Sequence, residues 1–122
     1  MNGKSFDVLK NKRRESASGG APQNYAGPGD VEAAAREYNI AVVFTDVSAI
    51  DASTTITRYI EDSWNGDTWV TIYTDTVTTT GPIRKEVANF AAFLRVRHEV
   101  KHNTQSSLVG ASFGSGITYK QT

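Results

Sequence analysis

The sequence predicts an all-β protein, a single β-sandwich or jelly-roll-like domain with an extended N-terminal arm. From residue 38 onward, runs rich in Val, Ile, Thr, Tyr and Trp alternate with Gly, Pro, Asn and Asp, the pattern of about seven short strands joined by turns. The clearest run is 54–74, where two β-rich segments flank Asn65-Gly66, a dipeptide that supplies the positive φ angles of a hairpin turn. We therefore divide the chain into an arm over residues 1–29 and a sandwich over residues 30–122.

Composition narrows the classes of function. The 122 residues carry a formal net charge of +0 and no cysteine. A neutral chain lacks the basic excess of a dedicated nucleic-acid binder, and a chain without cysteine has no disulfide framework, thiolate metal site or cysteine nucleophile. The N-terminus has no apolar signal core, and no apolar run approaches the about 20 residues of a membrane span. We expect no membrane association and no sequence-specific binding of nucleic acid.

The arm is predicted from glycine and proline scattered among small polar residues over 1–29. Five basic and two acidic residues give this segment a charge of +3. Because ordering the backbone costs about 1–2 kcal/mol per residue, such a segment gains order only where a partner compensates. A flexible N-terminus is the alternative. The candidate partner-binding residues are Phe6, Leu9, Lys10, Lys12, Arg13, Arg14 and Tyr25.

The predicted elements follow in chain order. Residues 30–37 are predicted to form a short helix, because an aspartate at the N-cap position precedes three alanines of high helix propensity. Residues 38–46 form a strand with both faces covered. In the first strand of the hairpin, Ile56, Arg58 and Ile60 share one side. The Thr-rich segment 74–80 is an exposed strand near a sheet edge, ended by a Gly-Pro pair.

The last third of the chain is less clear. Residues 83–102 fit both a helical stripe and a strand alternation. We favour a strand over 93–100, because Arg-Val-Arg alternates charged with β-branched side chains, and a helix is the alternative. Residues 107–112 and 116–120 are predicted as a final strand pair with a turn at 113–115. The glycine-rich stretch 110–116 is interpreted as a flexible connection, since it lacks the strand–turn–helix setting of a phosphate loop.

His98-Glu99-Val100-Lys101-His102 matches the H-E-x-x-H signature of zincin metalloproteases. That chemistry needs both histidines on one helix face, whereas on a strand the pair lies about 13 Å apart. Residues 103–122, where zincins place the third ligand, contain no His, Asp or Glu. We therefore predict no catalytic residue, no metal ligand and no cofactor, and the chain is not expected to be an enzyme.

The hairpin turn offers two further groups of side chains. The oxygen-bearing residues Asp62, Asn65 and Asp67 lack the spacing of a calcium loop and are ordinary turn formers. The aromatic residues are favoured as core filler that clamps the strand register. An exposed platform for a glycan is the alternative reading of these aromatics, which are Trp64, Trp69 and Tyr73.

Taken together, the turn and the Arg-Val-Arg strand resemble those of small tailed-bacteriophage virion proteins with a β-sandwich. The resemblance covers about residues 54–120. In that family a strand ends in a Ser/Asn-Asp-Gly-x-x-Trp turn, although this chain places its aspartate after the glycine. The matching positions are Ser63, Asn65, Gly66, Asp67 and Trp69, followed by Phe93, Leu94, Arg95, Val96 and Arg97. A related pattern occurs in discoidin-like carbohydrate-binding sandwiches.

The resemblance implies a non-enzymatic structural subunit of the virion, assembled in the host cytoplasm. The expected role is a capsid decoration, or cement, protein that binds neighbouring capsid subunits through its arm and its sheet edges. Its partners would be the major capsid protein or other virion proteins, and the chain would be a homo-oligomer. A neck or tail component and a carbohydrate-binding module are the alternatives.

Overall fold

The computed structural model describes residues 4–26 and 38–121, which form eight β-strands in two four-stranded antiparallel sheets. The predicted all-β sandwich is therefore confirmed, while the predicted helix over 30–37 lies outside the described residues. The strands are β1 (Lys4–Glu15), β2 (Gln23–Ala26), β3 (Ile40–Ile50), β4 (Thr54–Ser63), β5 (Val70–Val77), β6 (Gly81–Ala88), β7 (Phe93–His102) and β8 (Gly110–Lys120).

The strand order is that of a jelly roll. Sheet A has the order β1-β8-β3-β6, and sheet B has the order β2-β7-β4-β5. Four antiparallel pairs are nested along the chain: β4 with β5, β3 with β6, β2 with β7, and β1 with β8. The chain is thus a long ribbon that folds back at the β4–β5 connection and rolls into two facing sheets. The predicted hairpin over 54–74 is the head of this ribbon.

The predicted N-terminal arm is wrong for residues 4–26, because these residues supply β1 and β2 of the sandwich. β1 pairs with β8 from Lys4 opposite Tyr119 to Glu15 opposite Gly110. Register shifts on both sides of Leu9 break the simple alternation, so that consecutive residues Val8 and Leu9 both contact the core. Because of these bulges, the sequence of β1 does not show the alternation of apolar and polar residues by which a strand is recognised. Residues 27–29 of the predicted arm lie outside the described residues.

The core consists of two hydrophobic clusters with a polar layer between them. The layer takes one inward residue from each of four central strands: Thr45 of β3, Arg58 of β4, His98 of β7 and Ser115 of β8. One cluster comprises Val8, Ala41, Val43, Ile60, Leu94, Val96, Ile117 and Tyr119, and the other comprises Val47, Ile56, Val77, Val100, Ala111 and Phe113. As predicted, Ile56, Arg58 and Ile60 point to the same side of their strand.

The predicted final pair of strands is wrong, because Gly110–Lys120 is one continuous strand. Phe113, placed in a turn by the prediction, is fully buried in the second cluster. The glycines serve close approach rather than flexibility: a Cβ at Gly114 would lie 2.9 Å from the backbone nitrogen of Asn11, and one at Gly116 would lie 2.6 Å from the carbonyl oxygen of Phe6. Glycine therefore lets β1 and a neighbouring ring pack tightly against β8.

The ambiguous segment 83–102 is β in both of its parts. The favoured strand over 93–100 is confirmed and extends to His102. The Thr-rich strand lies at the edge of sheet B, as predicted, but it ends at Val77, and the Gly81-Pro82 pair begins β6 instead of ending β5. Within the described ranges, no helix has the length and apolar character needed to cross a membrane.

Candidate functional site

The turn between β4 and β5 is held rigidly by side-chain hydrogen bonds. The Ser63 hydroxyl accepts the N–H of Gly66 at 2.9 Å, and the Asn65 Oδ1 accepts the N–H groups of Asp67 and Thr68, both at 2.9 Å. Gly66 has a φ of 76°, and a Cβ there would lie 2.9 Å from the ring of Phe93. Only glycine fits both the backbone angle and the space. The tip of the hairpin is therefore preorganised.

This hairpin carries most of the exposed large hydrophobic residues. Trp64 at the tip is 81% exposed, and Val70 and Ile72 on β5 are 59% and 41% exposed. Leu108, at 53%, is the fourth such residue in the described part of the chain and lies in the loop before β8. Exposed apolar side chains gathered on one element are candidates for an interaction surface. We call Trp64, Val70 and Ile72 the hairpin surface.

A cleft opens beside Trp64. Its volume is about 350 Å³, and its lining residues are Tyr38, Asn39, Trp64, Asn89, Phe90, Ala91 and Ala92. The cleft wall is tied to the hairpin, because the Asp62 carboxylate accepts the N–H of Ala91 at 3.0 Å. Aromatic rings and amide side chains thus meet in one concave, solvent-open space next to the most exposed tryptophan.

The outer face of sheet B carries stacked arginines. The guanidinium of Arg95 lies 4.2 Å from the centre of the Trp69 ring, and that of Arg97 lies 4.0 Å from the centre of the Tyr59 ring. Glu61, only 5% exposed, accepts from Arg95 at 2.7 Å and from Arg97 at 3.4 Å. Both arginines of the Arg-Val-Arg run thus lie on the outer face of β7, while Val96 between them is buried in the core. The charges of Arg95 and Arg97 are largely compensated by Glu61 on the same face.

The three candidate platform aromatics do not share a surface. Trp64 stands in solvent at the tip, Trp69 lies under Arg95 on the outer face, and Tyr73 packs against the first core cluster with Lys85 Nζ 4.5 Å from its ring centre. The interpretation of these residues as core filler is wrong for Trp64, because its side chain is 81% exposed. A glycan platform of all three rings is not assembled.

The H-E-x-x-H motif lies on β7, a strand, so the helical geometry of a zincin is absent from this segment. His98 is fully buried, and its Nε2 lies 3.0 Å from the Thr45 hydroxyl. That hydroxyl also accepts from Arg58 at 3.2 Å, so it donates its own hydrogen to an unprotonated Nε2. Burial, and then the charge of Arg58, lowers the pKa of His98 to about 3.

His102 has different surroundings, since its Nδ1 accepts the N–H of Thr104 at 3.0 Å. The two histidines of the motif are thus engaged in separate places. Within residues 4–26 and 38–121, no group of three or more His, Cys, Asp or Glu residues is placed to hold a metal ion.

The candidate arm residues are mostly used inside the molecule. Arg14 is buried, its Nη2 donates to the carbonyl oxygen of Lys10 at 2.6 Å, and burial lowers its pKa. Tyr25 donates through its hydroxyl to the carbonyl oxygen of Glu15 at 2.6 Å. Phe6 and Leu9 pack against the core clusters, while Lys10 and Lys12 have exposed side chains.

Arg13, also from the candidate arm set, lies on the surface of β1. Its guanidinium donates to Asp51 at 2.7 Å and to Glu15 at 3.2 Å. The hydrogen bonds from Arg13 hold the pKa of Asp51 below its usual value. Because this cation is already paired, it is a poor anchor for a partner.

Two residues of the hairpin surface, Val70 and Ile72, are missing from the residues singled out by the sequence. The signal is present: in the second strand of the hairpin Val70 and Ile72 alternate with Trp69, Thr71 and Tyr73, so neither face is polar. In the structure a register shift between Thr71 and Tyr73 interrupts this alternation, so Val70 and Ile72 do not form one continuous face. The sequence pattern therefore does not determine what Val70 and Ile72 contact.

Comparison with known proteins gives no family. No family model matches the sequence, and no curated protein matches it. Among solved structures, the mitogen derived from Yersinia pseudotuberculosis has a TM-score of 0.45 at 11% identity. The match covers 97% of this chain and 85% of the mitogen chain. PirA has a TM-score of 0.44 at 11% identity, covering 89% and 91%.

A third solved structure, a pilus from Bacillus endospore appendages described as a novel family of disulfide-linked pili, has a TM-score of 0.46 at 15% identity and covers 100% of this chain and 95% of its own. All three TM-scores are below 0.5, so these likenesses of shape say nothing about what the present chain binds.

Proposed function

We propose that this chain is a non-enzymatic structural subunit of a tailed-phage particle, a decoration protein that docks on neighbouring capsid subunits. The observation that carries the proposal is the grouping of Trp64, Val70 and Ile72 on one hairpin, three of the four exposed large hydrophobic residues in the described part of the chain. The resemblance of the hairpin turn and of the Arg-Val-Arg strand to phage virion proteins supports the same role.

The docking surface differs from the expected one. An arm that clasps a neighbour would need β1 to leave β8, which would expose the buried Val8 and Arg14. The hairpin tip needs no such rearrangement, because Ser63 and Asn65 already fix the turn. A rigid element that presents an exposed tryptophan loses little conformational entropy on binding, and tryptophan is enriched among the residues that dominate interface energetics. We therefore assign docking to the tip.

Co-sedimentation with particles tests the proposal. Recombinant chain is mixed with phage particles assembled without it, and the bound fraction is measured after pelleting. We expect saturable binding, with Trp64→Ser weakening it at least tenfold, because a central tryptophan commonly contributes 2 kcal/mol or more, which corresponds to about thirtyfold. Leu108→Ser is the matched control, since Leu108 is exposed but lies off the hairpin. Failure of the wild-type chain to pellet, or equal loss in both variants, contradicts the proposal.

Copy number separates the decoration role from the neck or tail. Quantitative mass spectrometry of purified particles should find this chain in numbers comparable with the major capsid protein. A few copies per particle would instead support a neck or tail component. Complete absence from particles would contradict both.

The cleft beside Trp64 favours carbohydrate binding as a second candidate. Its aromatic walls, Tyr38 and Phe90, and its amides, Asn39 and Asn89, are the side-chain types that stack on sugar rings and bond to hydroxyl groups. A glycan array with the purified chain tests this role. Binding that Trp64→Ala abolishes and Trp69→Ala preserves would support it, whereas an array without reproducible binding would rule against it.

A further inference from the structure

The two sheets of the described structure end in four edge strands, and three of these are protected against pairing with another strand. β2 has only four residues. β1 is irregular, with two register shifts, and β6 carries a proline. Short length, bulges, proline and outward charges are the usual devices that block edge pairing. The outward charged residues are Lys10, Lys12 and Arg13 on β1, and Arg84 and Glu86 on β6.

β5, the fourth edge, has one of these devices, a single register shift against β4 beside Ile72, and none of the others. Its sequence, VTIYTDTV, contains no proline, lysine or arginine. Its one charged residue, Asp75, is directed inward and forms an ion pair with the buried Arg58, with Nη2 2.7 Å from Oδ2. The edge is therefore electrically neutral toward an approaching strand. Threonine and β-branched residues along it suit strand pairing.

We propose that β5 pairs antiparallel with β5 of a second copy of this chain, so that two B sheets join into one continuous sheet across a two-fold axis. The inference rests on the proposed function in that it names the first neighbour of a structural subunit. A neutral edge meets its own copy without charge repulsion. The basic edge β1 would face like charges in the same arrangement, which disfavours self-pairing there.

The faces of the strand fix the register. Tyr73 and Asp75 point inward, opposite Ile60 and Arg58 of β4. In a two-fold antiparallel pair with a continuous inner face, inward residues must oppose inward residues. Centring the axis on Thr74 satisfies this condition, since it places Thr74 opposite its own copy and Tyr73 opposite Asp75.

The alternative centres are less favourable. A two-fold axis at Asp75 would place two carboxylates directly opposite each other. An axis at Tyr73 would place two tyrosine rings opposite each other, although each ring is already in contact with Lys85. With the axis at Thr74, the exposed Ile72, which lies beside the register shift of β5, is opposite Thr76, so its apolar side chain is partly covered on pairing. A direct Thr–Thr pair at the centre is a favourable cross-strand contact.

Single engineered cysteines test this register, because the chain has no native cysteine. Opposed residues of an antiparallel pair have Cα atoms about 4.5–5.5 Å apart, within the range of a disulfide. Thr74→Cys should therefore form a covalent dimer under mild oxidation. Thr76→Cys is the matched control on the same face: its two copies would lie about 13 Å apart, so it should not cross-link directly. A mixture of Ile72→Cys and Thr76→Cys should cross-link as a heterodimer.

Sedimentation equilibrium gives an independent measurement. Wild-type chain should sediment as a dimer, and Thr74→Lys, which opposes two ammonium groups at the axis, should sediment as a folded monomer. Leu108→Lys is the control and should stay dimeric. A wild-type monomer that Thr74→Cys does not cross-link, or equally fast cross-linking at positions 74 and 76, overturns the inference. Loss of particle docking by Trp64→Ser in a chain that still dimerises concerns the proposed function alone, so the two failures are distinguishable.

Discussion

Arg58 and Asp75 form a bidentate ion pair between β4 and β5, with Nε 2.8 Å from Oδ1 and Nη2 2.7 Å from Oδ2. The Arg58 side chain is fully buried, whereas that of Asp75 keeps 25% exposure. Through Nη1 the same guanidinium donates to the Thr45 hydroxyl of the facing sheet. The pair thus links an edge strand to the polar layer at the centre of the sandwich.

Removal of Asp75 should be strongly destabilising. Asp75→Ala leaves the buried guanidinium without its counter-ion, and we expect the free energy of unfolding to fall by about 3 kcal/mol, the low end for a buried pair because the carboxylate is partly exposed. Urea denaturation at neutral pH measures the loss. The double variant Arg58→Met/Asp75→Leu removes both charges and should lose less stability than Asp75→Ala. An equal or larger loss in the double variant would contradict this account.

Stability should depend on pH through His98. The pKa of His98 is about 3 in the folded protein and 6.5 in the unfolded chain. Between these two pH values the unfolded chain binds a proton at His98 that the folded chain does not. Stability therefore decreases as the pH falls through this window, with a slope approaching about 1.4 kcal/mol per pH unit, and His98 contributes no pH dependence above it.

Urea titrations at several pH values measure this slope. His98→Gln should flatten the decline, whereas His102→Gln, which leaves the polar layer intact, should keep it. A slope unchanged by His98→Gln would show that other groups carry the acid sensitivity.

Gly116→Ala should destabilise the sandwich. A Cβ at this position meets the Phe44 ring and lies 2.6 Å from the carbonyl oxygen of Phe6 on β1, where the backbone cannot yield without loss of β1–β8 pairing. We expect a loss of about 1–3 kcal/mol in the free energy of unfolding, the usual cost of overpacking. Ser112→Ala, in the same strand, adds no volume and serves as the control. A thermal midpoint of Gly116→Ala equal to that of the wild type would contradict the close approach.

The two tryptophans should differ in their effect on stability. Trp64→Ser changes a side chain that is 81% exposed and should alter the free energy of unfolding by no more than about 0.5 kcal/mol. Trp69→Ala removes the ring that stacks on Arg95 and should cost about 1–2 kcal/mol. Chemical denaturation of both variants measures the difference, and the reverse order would mean that the tip ring is packed in solution.

The parts of the fold that local pattern determines were predictable. The Asn-Gly turn marked the hairpin, and the alternation of Ile56, Arg58 and Ile60 gave the correct inward face. The strand at 93–102 followed from β-branched residues between charges. In each case the signal lies within a few neighbouring residues, where the side-chain period of a strand is visible.

The parts that depend on distant pairing were not predictable. β1 resembles a polar arm because its partner β8 lies far along the chain: Ser5 and Thr118, whose hydroxyls are 2.9 Å apart, are separated by 113 positions. The glycines of β8 signal a turn locally, yet their purpose is the close approach of β1. Similarly, no local rule states whether a turn tryptophan such as Trp64 faces the core or solvent.

The nested strand pairs have a consequence for how the chain folds. The β4–β5 connection closes the shortest loop, and each further pair, β3 with β6, β2 with β7 and β1 with β8, encloses the one before it. Because closing a longer loop costs more chain entropy, we infer that the ribbon zips outward from its head. Folding-rate measurements on Ile60→Val and Val8→Ala test this order: the first should slow folding, whereas the second should mainly speed unfolding. During synthesis on a ribosome, β1 emerges before the other seven described strands, yet it can pair only after β8 has been made. We therefore expect β1 to join the sheet last.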